Sequence, residues 1–471
     1  MSADLVRVRP GVYHDSVSLM RVSGALSALP GIEVAVVAMA TELNLGLAAG
    51  LGFALPEAGQ GDLLVALRGA GPEDLETARA ELDRLLAGLT ARTVQEGGGE
   101  RPARTVRSAA LRGAGGGGEG AATLALVSVP GPYAFAEAMD AIEAGLSVMI
   151  FSDNVPVEQE VLLKRRAAEL GPLVMGPDCG TAVICGAGLG FANVLRPGPV
   201  GVVAASGTGA QQVTCLLDLA GVGVSHVLGV GGRDLSAEVA GLSTLRALAA
   251  LDADPATELI VLVSKPPAPE TGLTVRRAAR ALSTPVVTAL LGSGGDSGDL
   301  TRAAEAVLRA LGVPVPVWPS WPAPVSPRAG PAGTLRGVYS GGTLCAEART
   351  VAGTGEFTDF GDDAYTRGRA HPMIDPSLRL EALARVPPGD VVLLDVVLGH
   401  AADPDPATGL ASGIASAVAR GVPVVVALVG SRDDPQGLTA QAEALRSAGA
   451  SVFVSNAHAA GYAAALLAGA R

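Results

Sequence analysis

The chain has 471 residues, a formal net charge of −12 and a mean hydropathy of +0.40, and only 3% of its residues are aromatic. This acidity argues against a nucleic-acid-binding protein, which usually carries a basic stripe. No apolar run approaches the ~20 residues of a membrane span. No secretory leader is visible and the four cysteines form no CxxC pair, so we expect a cytoplasmic protein with reduced thiols.

Two compositional breaks divide the chain. Gly113–Gly120 holds six glycines in eight residues, which predicts a flexible linker, and Pro314–Pro331 holds seven prolines, which predicts a stiff, extended one. The predicted segments are an N-terminal α/β module at 1–112, a Gly-rich linker at 113–121, a Rossmann portion at 122–197, a second domain at 198–313, a Pro-rich linker at 314–334 and a C-terminal domain at 335–471.

The N-terminal block alternates between predicted strands and helices and carries no strong motif. Its predicted strands are Leu5–Arg9, Ile32–Met39 and Asp62–Arg68. Its predicted helices are Ser16–Leu29, Glu42–Leu51 and Pro72–Gly88.

The middle and last blocks contain short, continuous apolar runs, most of them followed by a Gly- or Pro-containing loop and a helical stretch. The predicted strands are Thr123–Val129, Ser147–Phe151, Leu173–Met175, Val200–Ala204, Ser225–Val230, Leu259–Val263, Val286–Leu290, Leu335–Tyr339, Val391–Val397, Pro423–Val429 and Ser451–Val454. Such alternation predicts an α/β protein built of several doubly wound parallel-sheet modules. Ligands of these folds bind at the carboxyl ends of the strands.

The loop Ser206-Gly207-Thr208-Gly209 joins a buried strand to a helix and is the strongest candidate for an anion site. Free N–H groups and the dipole at a helix start favour a phosphate or carboxylate. The alternative is a simple N-cap, in which the hydroxyl satisfies backbone donors. The loop lacks the Lys of a Walker A motif and the glycine spacing of a nucleophile elbow.

Three further loops of the middle block follow strands. Gly231-Gly232-Arg233 could hold an anion through Arg233, or form only a turn. Lys265, one of two lysines in the chain, either contacts a substrate anion or lies on the surface. Cys179 could be a nucleophile, but no His lies near it in sequence, which favours a packed thiol.

The last block contributes more candidates for a phosphate or substrate site. Gly341-Gly342-Thr343 again follows a strand, and the stretch Thr358–Asp375 is dense in Asp, Arg and His. Arg367, Arg369 and His371 could bind an anion there, whereas the alternative is a solvated, turn-rich loop. Its acidic residues Asp359, Asp362, Asp363 and Asp375 could hold Mg²⁺ or orient the arginines. Gly399 and His400 end another strand, although a lone His is more often structural.

Taken in order, these loops resemble those of the FdrA family, within the acyl-CoA synthetase superfamily, over nearly the whole chain. The matching segments are Asp15–Met20, Phe151–Val155, Val174–Thr181, Phe191–Val194, Ala205–Gly209, Gly231–Leu235, Val263–Pro267, Tyr339–Leu344 and His371–Pro376. The resemblance implies a CoA-binding-like Rossmann portion, a ligase domain like that of the succinyl-CoA synthetase α subunit, and flavodoxin-like folds. Residues 335–471 resemble the β subunit's carboxy-terminal domain, with Gly399 at a second helix start that faces the phosphorylated group.

One departure from the synthetases, a missing histidine, decides which function the resemblance implies. The synthetases carry phosphate on a His that should follow the strand at Val286–Leu290, but no His occurs between His226 and His371. The FdrA resemblance instead implies a subunit of an oxamate carbamoyltransferase in ureide and purine catabolism, which converts oxalurate and phosphate to oxamate and carbamoyl phosphate. The alternatives are an acyl-CoA synthetase and a non-catalytic scaffold that binds an acyl phosphate.

The same resemblance sets the expected ligands and partners. Small carboxylates and phosphate are the expected ligands, and partner subunits or further copies of the chain are the expected partners. Mg²⁺ and CoA are the candidate cofactors. The sequence predicts no metal-ligand cluster with Cys/His spacing, and it identifies no catalytic residue.

Overall fold

The structure, a computed structural model, describes residues 3–12, 14, 16–59, 61–95, 103, 105–114, 122–292, 298–325, 329–330, 333–366 and 369–469. The chain divides into two compact units. The first comprises Met1–Arg104 with Arg367–Ala370, and the second comprises Thr105–Thr366 with His371–Arg471.

The first unit contains one three-stranded sheet. Its elements are β1 (Ala3–Arg9), α1 (Ser16–Ser27), β2 (Ile32–Met39), α2 (Glu42–Gly50), β3 (Leu63–Gly69) and α3 (Pro72–Gln95). The strand order is β1-β3-β2 and both pairings are antiparallel, so this sheet departs from the predicted parallel arrangement. The β1-α1-β2 crossover leaves a gap between its two strands. The apolar run Leu63–Leu67 fills that gap and is fully buried.

The second unit begins with a small parallel sheet in the order β4-β5-β6. Its elements are α4 (Val106–Ala114), β4 (Leu124–Val127), α5 (Gly131–Glu143), β5 (Ser147–Ile150), α6 (Val157–Leu170) and β6 (Val174–Met175). Helix α4 packs on α5, and its Ala110 joins the core of this sheet. The sequence had placed α4 partly in the N-terminal module and partly in the Gly-rich linker. Residues 115–121 of that linker lie outside the described residues.

A six-stranded sheet follows in the order β12-β11-β9-β10-β7-β8. Its strands are β7 (Thr181–Ile184), β8 (Ala187–Gly190), β9 (Pro197–Ala205), β10 (Val224–Gly229), β11 (Leu259–Ser264) and β12 (Val286–Leu290). Its helices are α7 (Gly207–Leu219), α8 (Leu242–Asp252), α9 (Pro269–Ala281) and α10 (Leu300–Ala310). Strands β9 to β12 are parallel, whereas the hairpin β7–β8 adds an antiparallel edge. This hairpin precedes the predicted boundary at residue 198.

The last sheet has the order β13-β18-β17-β16-β14-β15. Its strands are β13 (Ser320–Trp321), β14 (Leu335–Tyr339), β15 (Glu356–Asp359), β16 (Val391–Val397), β17 (Val424–Val429) and β18 (Ser451–Phe453). Its helices are α11 (Gly342–Ala352), α12 (Asp363–Thr366), α13 (Ser377–Ala384), α14 (Pro406–Ala419), α15 (Leu438–Ser447) and α16 (Asn456–Ala468). Part of the predicted Pro-rich linker is an edge strand here, because β13 pairs with β18.

Continuous apolar strands explain the core of the second unit. Every residue of β11, β16 and β17 is buried, as expected for strands covered on both faces. One hydrophobic cluster includes residues of both six-stranded sheets, for example Val202 and Leu393. The predicted α/β class with parallel sheets is confirmed for this unit, although β7, β8 and β13 pair antiparallel.

Candidate functional site

Helix α7 begins directly after the buried strand β9. Ser206 is its N-cap, with an extended backbone and a hydroxyl that accepts a hydrogen bond from the Gly209 N–H at 2.9 Å. A β-carbon at Gly209 would lie 2.7 Å from Ser206 Oγ and 3.0 Å from Thr343 Cγ2, so the glycine permits this close approach. The Ser206 hydroxyl therefore serves as the cap that the alternative interpretation of this loop predicted.

Helix α11 begins beside α7 and has no side-chain cap. A β-carbon at Gly341 would lie 2.6 Å from Thr208 Oγ1. A β-carbon at Gly342 would lie 2.4 Å from Asp359 Oδ2 and 2.7 Å from Lys265 Nζ. These two glycines thus let three polar side chains reach the start of the helix.

We call Ser206–Gly209 and Gly341–Thr343 the facing helix starts. The Thr343 side chain is 1% exposed, and its hydroxyl has no hydrogen-bond partner among the described residues. A buried hydroxyl without a partner is costly, because it has lost its water without compensation. The two helix N-termini and this hydroxyl form a candidate anion site. An anion bound there would accept hydrogen bonds from the Thr343 hydroxyl and from N–H groups at the helix starts.

Lys265 supplies the positive charge at this place. It follows β11, is exposed, and forms no ion pair within 4.0 Å of a carboxylate in the part of the chain that the structure describes. Asp359, at the end of β15, accepts a hydrogen bond from the Gly361 N–H at 3.0 Å. Burial raises the pKa of Asp359, while the Gly361 N–H and Lys265 act in the opposite direction. The structure therefore brings Lys265 to the start of α11, although the two are more than seventy residues apart in the sequence.

Asp178 is a residue of this region that the sequence did not single out. It lies in the loop before β7 and reaches solvent, yet desolvation by the surrounding loops and repulsion from Asp363 and Asp153 raise its pKa to about 7. Lys265 opposes this shift. A carboxylate that titrates near neutrality can accept or donate a proton during a reaction. The sequence contains one signal for Asp178, an acidic residue in a Gly-flanked loop at a strand end. Cys179 in the same loop was the residue considered as a nucleophile.

His371 lies at the edge of the site. Its ring stacks on Phe191 with centroids 5.5 Å apart, and its Nδ1 accepts a hydrogen bond from the Met373 N–H at 3.3 Å. Burial, with a smaller effect of Arg379, lowers the pKa of His371 to about 4. The imidazole is therefore neutral at pH 7, and its proton resides on Nε2 because Nδ1 acts as an acceptor. A β-carbon at Gly361 would lie 2.9 Å from that Nε2.

Arg233 does not join these residues as a free anion-binding group. Its Nε donates to Glu160 Oε2 at 3.1 Å, and its Nη2 donates to the Val155 carbonyl at 2.7 Å. Gly231 has φ +92°, and a β-carbon there would lie 2.5 Å from the Pro177 carbonyl oxygen. Gly231 and Gly232 thus permit close packing between two loops, in line with the turn interpretation.

Gly399 and His400 were predicted at a second helix start, and this was wrong. No helix begins there, since α14 starts at Pro406. The Gly399 N–H donates to Gln436 Oε1 at 3.1 Å and the His400 N–H donates to the Ala192 carbonyl at 2.8 Å, so both donors are occupied. The helix start that faces α7 is that of α11.

Two other candidates have different outcomes. Cys179 is 2% exposed and burial raises its pKa to about 12, which agrees with the packed thiol that the sequence favoured. Arg367, predicted to bind an anion, lies outside the described residues.

Several acidic residues of the Asp-rich stretch accept hydrogen bonds within turns of the described chain. Asp362 and Asp375 accept hydrogen bonds from the N–H groups of Ala364 and Ser377, two residues further on, which is typical of turns. No group of three or more His, Cys, Asp or Glu in the described ranges is placed to hold a metal ion. None of the helices described is both long and apolar enough to cross a bilayer.

Comparison with known proteins places this geometry in a family. The "Uncharacterized protein YahF" of Escherichia coli K12 is 37% identical over 507 aligned residues, which cover 95% of each chain. The chain belongs to the YahF family. Its residues 1–102 match the family model "AllF, heavy metal-associated domain", and residues 338–466 match the CoA-ligase family.

The YahF-family chain is also similar to α subunits of acid–CoA ligases. The succinate–CoA ligase [ADP-forming] subunit alpha 2 of Archaeoglobus fulgidus is 30% identical over 151 residues, which cover 31% of this chain and 51% of the relative. The malate–CoA ligase subunit alpha of Methylorubrum extorquens is 27% identical over 199 residues, covering 41% and 66%. The chain thus spans between half and two thirds of these relatives. Its second unit has a CoA-ligase-like scaffold.

Solved structures give weaker matches. The ATP citrate lyase of Methanothrix soehngenii, solved with citrate and coenzyme A, matches with a TM-score of 0.35 at 19% identity and covers 45% of this chain and 38% of that one. An acetyl-coenzyme A synthetase of Ca. Korarchaeum cryptofilum matches with a TM-score of 0.32 at 15% identity, covering 79% and 88%.

The name of the N-terminal family model implies a heavy metal, but residues 1–102 offer no thiolate to hold one. Soft metal ions are held mainly by Cys and Met, and thiolates give the strongest such sites. No cysteine occurs among residues 1–102. We therefore assign no metal-dependent step to this domain.

Proposed function

We propose that the chain is an acid–CoA ligase-like enzyme that binds the phosphoryl group of an acyl phosphate at the facing helix starts. The observation that carries this proposal is the convergence of two helix N-termini with a lysine and a buried hydroxyl that have, respectively, no ion pair and no hydrogen bond within the described residues. A phosphate dianion would accept hydrogen bonds from the N–H groups and from Thr343, and Lys265 would balance its charge.

The proposed reaction transfers the acyl group between phosphate and a nucleophile such as the thiol of CoA. In the thioester-forming direction, a carbon–sulfur bond forms while the carbon–oxygen bond to phosphate breaks, and inorganic phosphate leaves. The thiol proton passes to Asp178, a carboxylate that interacts with the charge of Lys265 at this site. Fixed N–H dipoles at the helix starts stabilise the charge that gathers on the departing phosphate.

Carbamoyl transfer is the second candidate, and the histidines favour it. No His occurs between His226 and His371, and the Nδ1 of His371 is already an acceptor for the Met373 N–H. The resemblance places the phosphate-carrying His after β12, where the sequence has none, and the Nδ1 lone pair of His371 is already engaged. Direct attack of phosphate on a carbamoyl group needs no such carrier. In the FdrA-type reaction, an oxygen of hydrogen phosphate bonds to the carbamoyl carbon of oxalurate and the bond from that carbon to the bridging nitrogen breaks. The proton of hydrogen phosphate passes to this nitrogen, and oxamate leaves.

One experiment separates these activities. Purified protein is incubated with phosphate and either succinyl-CoA or oxalurate, with and without the proteins of neighbouring genes as candidate partner subunits, and products are followed by ³¹P NMR. Acyl phosphate from the thioester supports the ligase-like reaction, and carbamoyl phosphate from oxalurate supports the second candidate. CoA-dependent ADP formation with a phosphorylated His would exclude the carbamoyl reaction.

The Lys265→Met substitution tests the site itself. Loss of one charged hydrogen-bond donor should weaken phosphate binding about tenfold or more, measured by calorimetry. Arg277→Met is the matched control, since Arg277 is exposed on α9 and the substitution removes the same charge. Equal phosphate affinity in both variants would contradict the site. Turnover that needs a partner chain and survives Lys265→Met would instead indicate a non-catalytic scaffold.

A further inference from the structure

A cysteine, a histidine and an aspartate form a second constellation, separate from the facing helix starts. Cys185 is exposed in the tight turn between β7 and β8. Its Sγ lies 3.5 Å from Nε2 of His226 on β10, and Nδ1 of His226 lies 3.4 Å from Asp254 Oδ2. These residues are distant in sequence, and the pairing of β7 with β10 brings them together.

The order of the three groups fits an activated thiol. Nδ1 of His226 makes no hydrogen bond in good geometry among the described residues, and Asp254 Oδ2 is 3.4 Å from it. The negative charge of Asp254 favours a proton on Nδ1, which leaves Nε2 as the acceptor beside the thiol. Asp254 is itself held in place, because Oδ2 accepts a hydrogen bond from the Thr257 hydroxyl at 2.6 Å and Oδ1 accepts one from the Ala256 N–H at 3.1 Å. A thiol beside an imidazole, with a carboxylate next to that imidazole, is the order of groups that nucleophilic thiols use.

The other three cysteines have the opposite surroundings. Cys179, Cys215 and Cys345 are buried, and burial raises the pKa of each, to about 12 for Cys179 and Cys345. Buried thiols of this kind are inert. The chain therefore contains internal controls for the reactivity of Cys185.

We infer that Cys185 is a reactive-thiol site that takes low-molecular-weight disulfides and forms a mixed disulfide with them. In the step, the thiol proton moves to Nε2 of His226 while Sγ attacks one sulfur of the disulfide. The old sulfur–sulfur bond breaks, a new one forms to Cys185, and the leaving thiolate takes the proton from His226. The reaction is a thiol–disulfide exchange, so the disulfide is the only oxidant required.

The test measures modification of each cysteine in the folded, full-length protein by mass spectrometry. With iodoacetamide, Cys185 should react at least about tenfold faster than the same residue in a short unfolded peptide of the surrounding sequence. His226→Asn should lower this rate about tenfold and Asp254→Asn severalfold. With oxidised glutathione, the adduct should form on Cys185 and be released by a reductant.

His458→Asn is the control, because His458 is exposed and contacts no cysteine among the described residues. It should leave the rate at Cys185 unchanged. A Cys185 that reacts no faster than the peptide, or that reacts equally fast in the His226→Asn protein, would overturn the inference. The wild-type comparison with the peptide remains decisive if a variant does not fold.

Discussion

Lys164 and Lys265 are the only lysines of the chain, and their surroundings differ. Lys164 is 1% exposed and donates to Glu160 and Asp234, both at 2.7 Å, and to the Val230 carbonyl at 3.0 Å. Lys265 is exposed and has no such ion pair among the described residues. Lys265 is therefore the better candidate for binding a ligand than Lys164, since buried charges are normally paired within the fold.

His371 gives a prediction for the dependence of stability on pH. Its pKa in the folded protein is lowered to about 4, so between about pH 6.5 and 4 the unfolded chain binds more protons than the folded one. The melting temperature should therefore fall as the pH drops through this window, and it should fall less in His371→Asn, whose amide oxygen can still accept from the Met373 N–H. Thermal melts near pH 7 and near pH 5 measure the difference. His458→Asn should keep the wild-type slope, and identical slopes in wild type and His371→Asn would contradict the pKa.

Single residues of the site were only partly predictable from the sequence. Thr208, Gly341 and Lys265 were candidates because they follow strands, and the carboxyl ends of parallel strands meet at one edge. The raised pKa of Asp178 depends on desolvation by the surrounding loops and on Asp363 and Asp153, which are distant in sequence. Arg233, in the loop after β10, looked free because its partner Glu160 lies more than seventy residues earlier, on helix α6. Such pairings follow from tertiary contacts, which sequence spacing does not encode.

At the scale of elements, the junction of α7 and α11 is set by glycines, and Gly341→Ala tests it. The added methyl group would lie 2.6 to 2.8 Å from three atoms of the Thr208 side chain, so that side chain must move. We expect destabilisation of about 1–3 kcal/mol, measured by urea unfolding. Thr208→Ala removes two of these three atoms, and the double variant should recover part of the loss. Independent, additive effects of the two substitutions would show that the helix starts do not touch.

The elements themselves were largely predicted, with informative exceptions. Leu335–Tyr339 and Val391–Val397 are strands with the predicted bounds, because long apolar runs between loops leave few alternatives. The β7–β8 hairpin was missed, since its strands have only four residues and two glycines fall in β8. Gly399 was placed at a helix start by the family resemblance, whereas here it begins a loop that runs to the start of α14 at Pro406.

At the scale of the whole second unit, buried polar clusters join its three sheets. Lys164 on α6 reaches Asp234, which follows β10, and thereby connects the small parallel sheet to the six-stranded sheet beside it. Gln212 on α7 donates to the Val454 carbonyl at 3.0 Å and accepts from the Asn456 N–H at 2.9 Å, which connects the two six-stranded sheets. Since these groups are buried and bonded across sheets, we expect residues 105–471 to unfold as one cooperative body.

Lys164→Met tests that expectation. Glu160 and Asp234 would keep their burial but lose the ammonium group between them, and removing one partner of a buried ion cluster costs about 3–5 kcal/mol. The matched control is Arg166→Met on the same helix, whose ion pairs with Glu143 and Glu169 are solvent-exposed and contribute little. Urea unfolding should show a large loss of stability for Lys164→Met alone, with a single transition in which the fluorescence of Trp318 and Trp321 and the circular dichroism change together. A separate early transition, or equal losses in both variants, would show that the small parallel sheet unfolds independently of the rest.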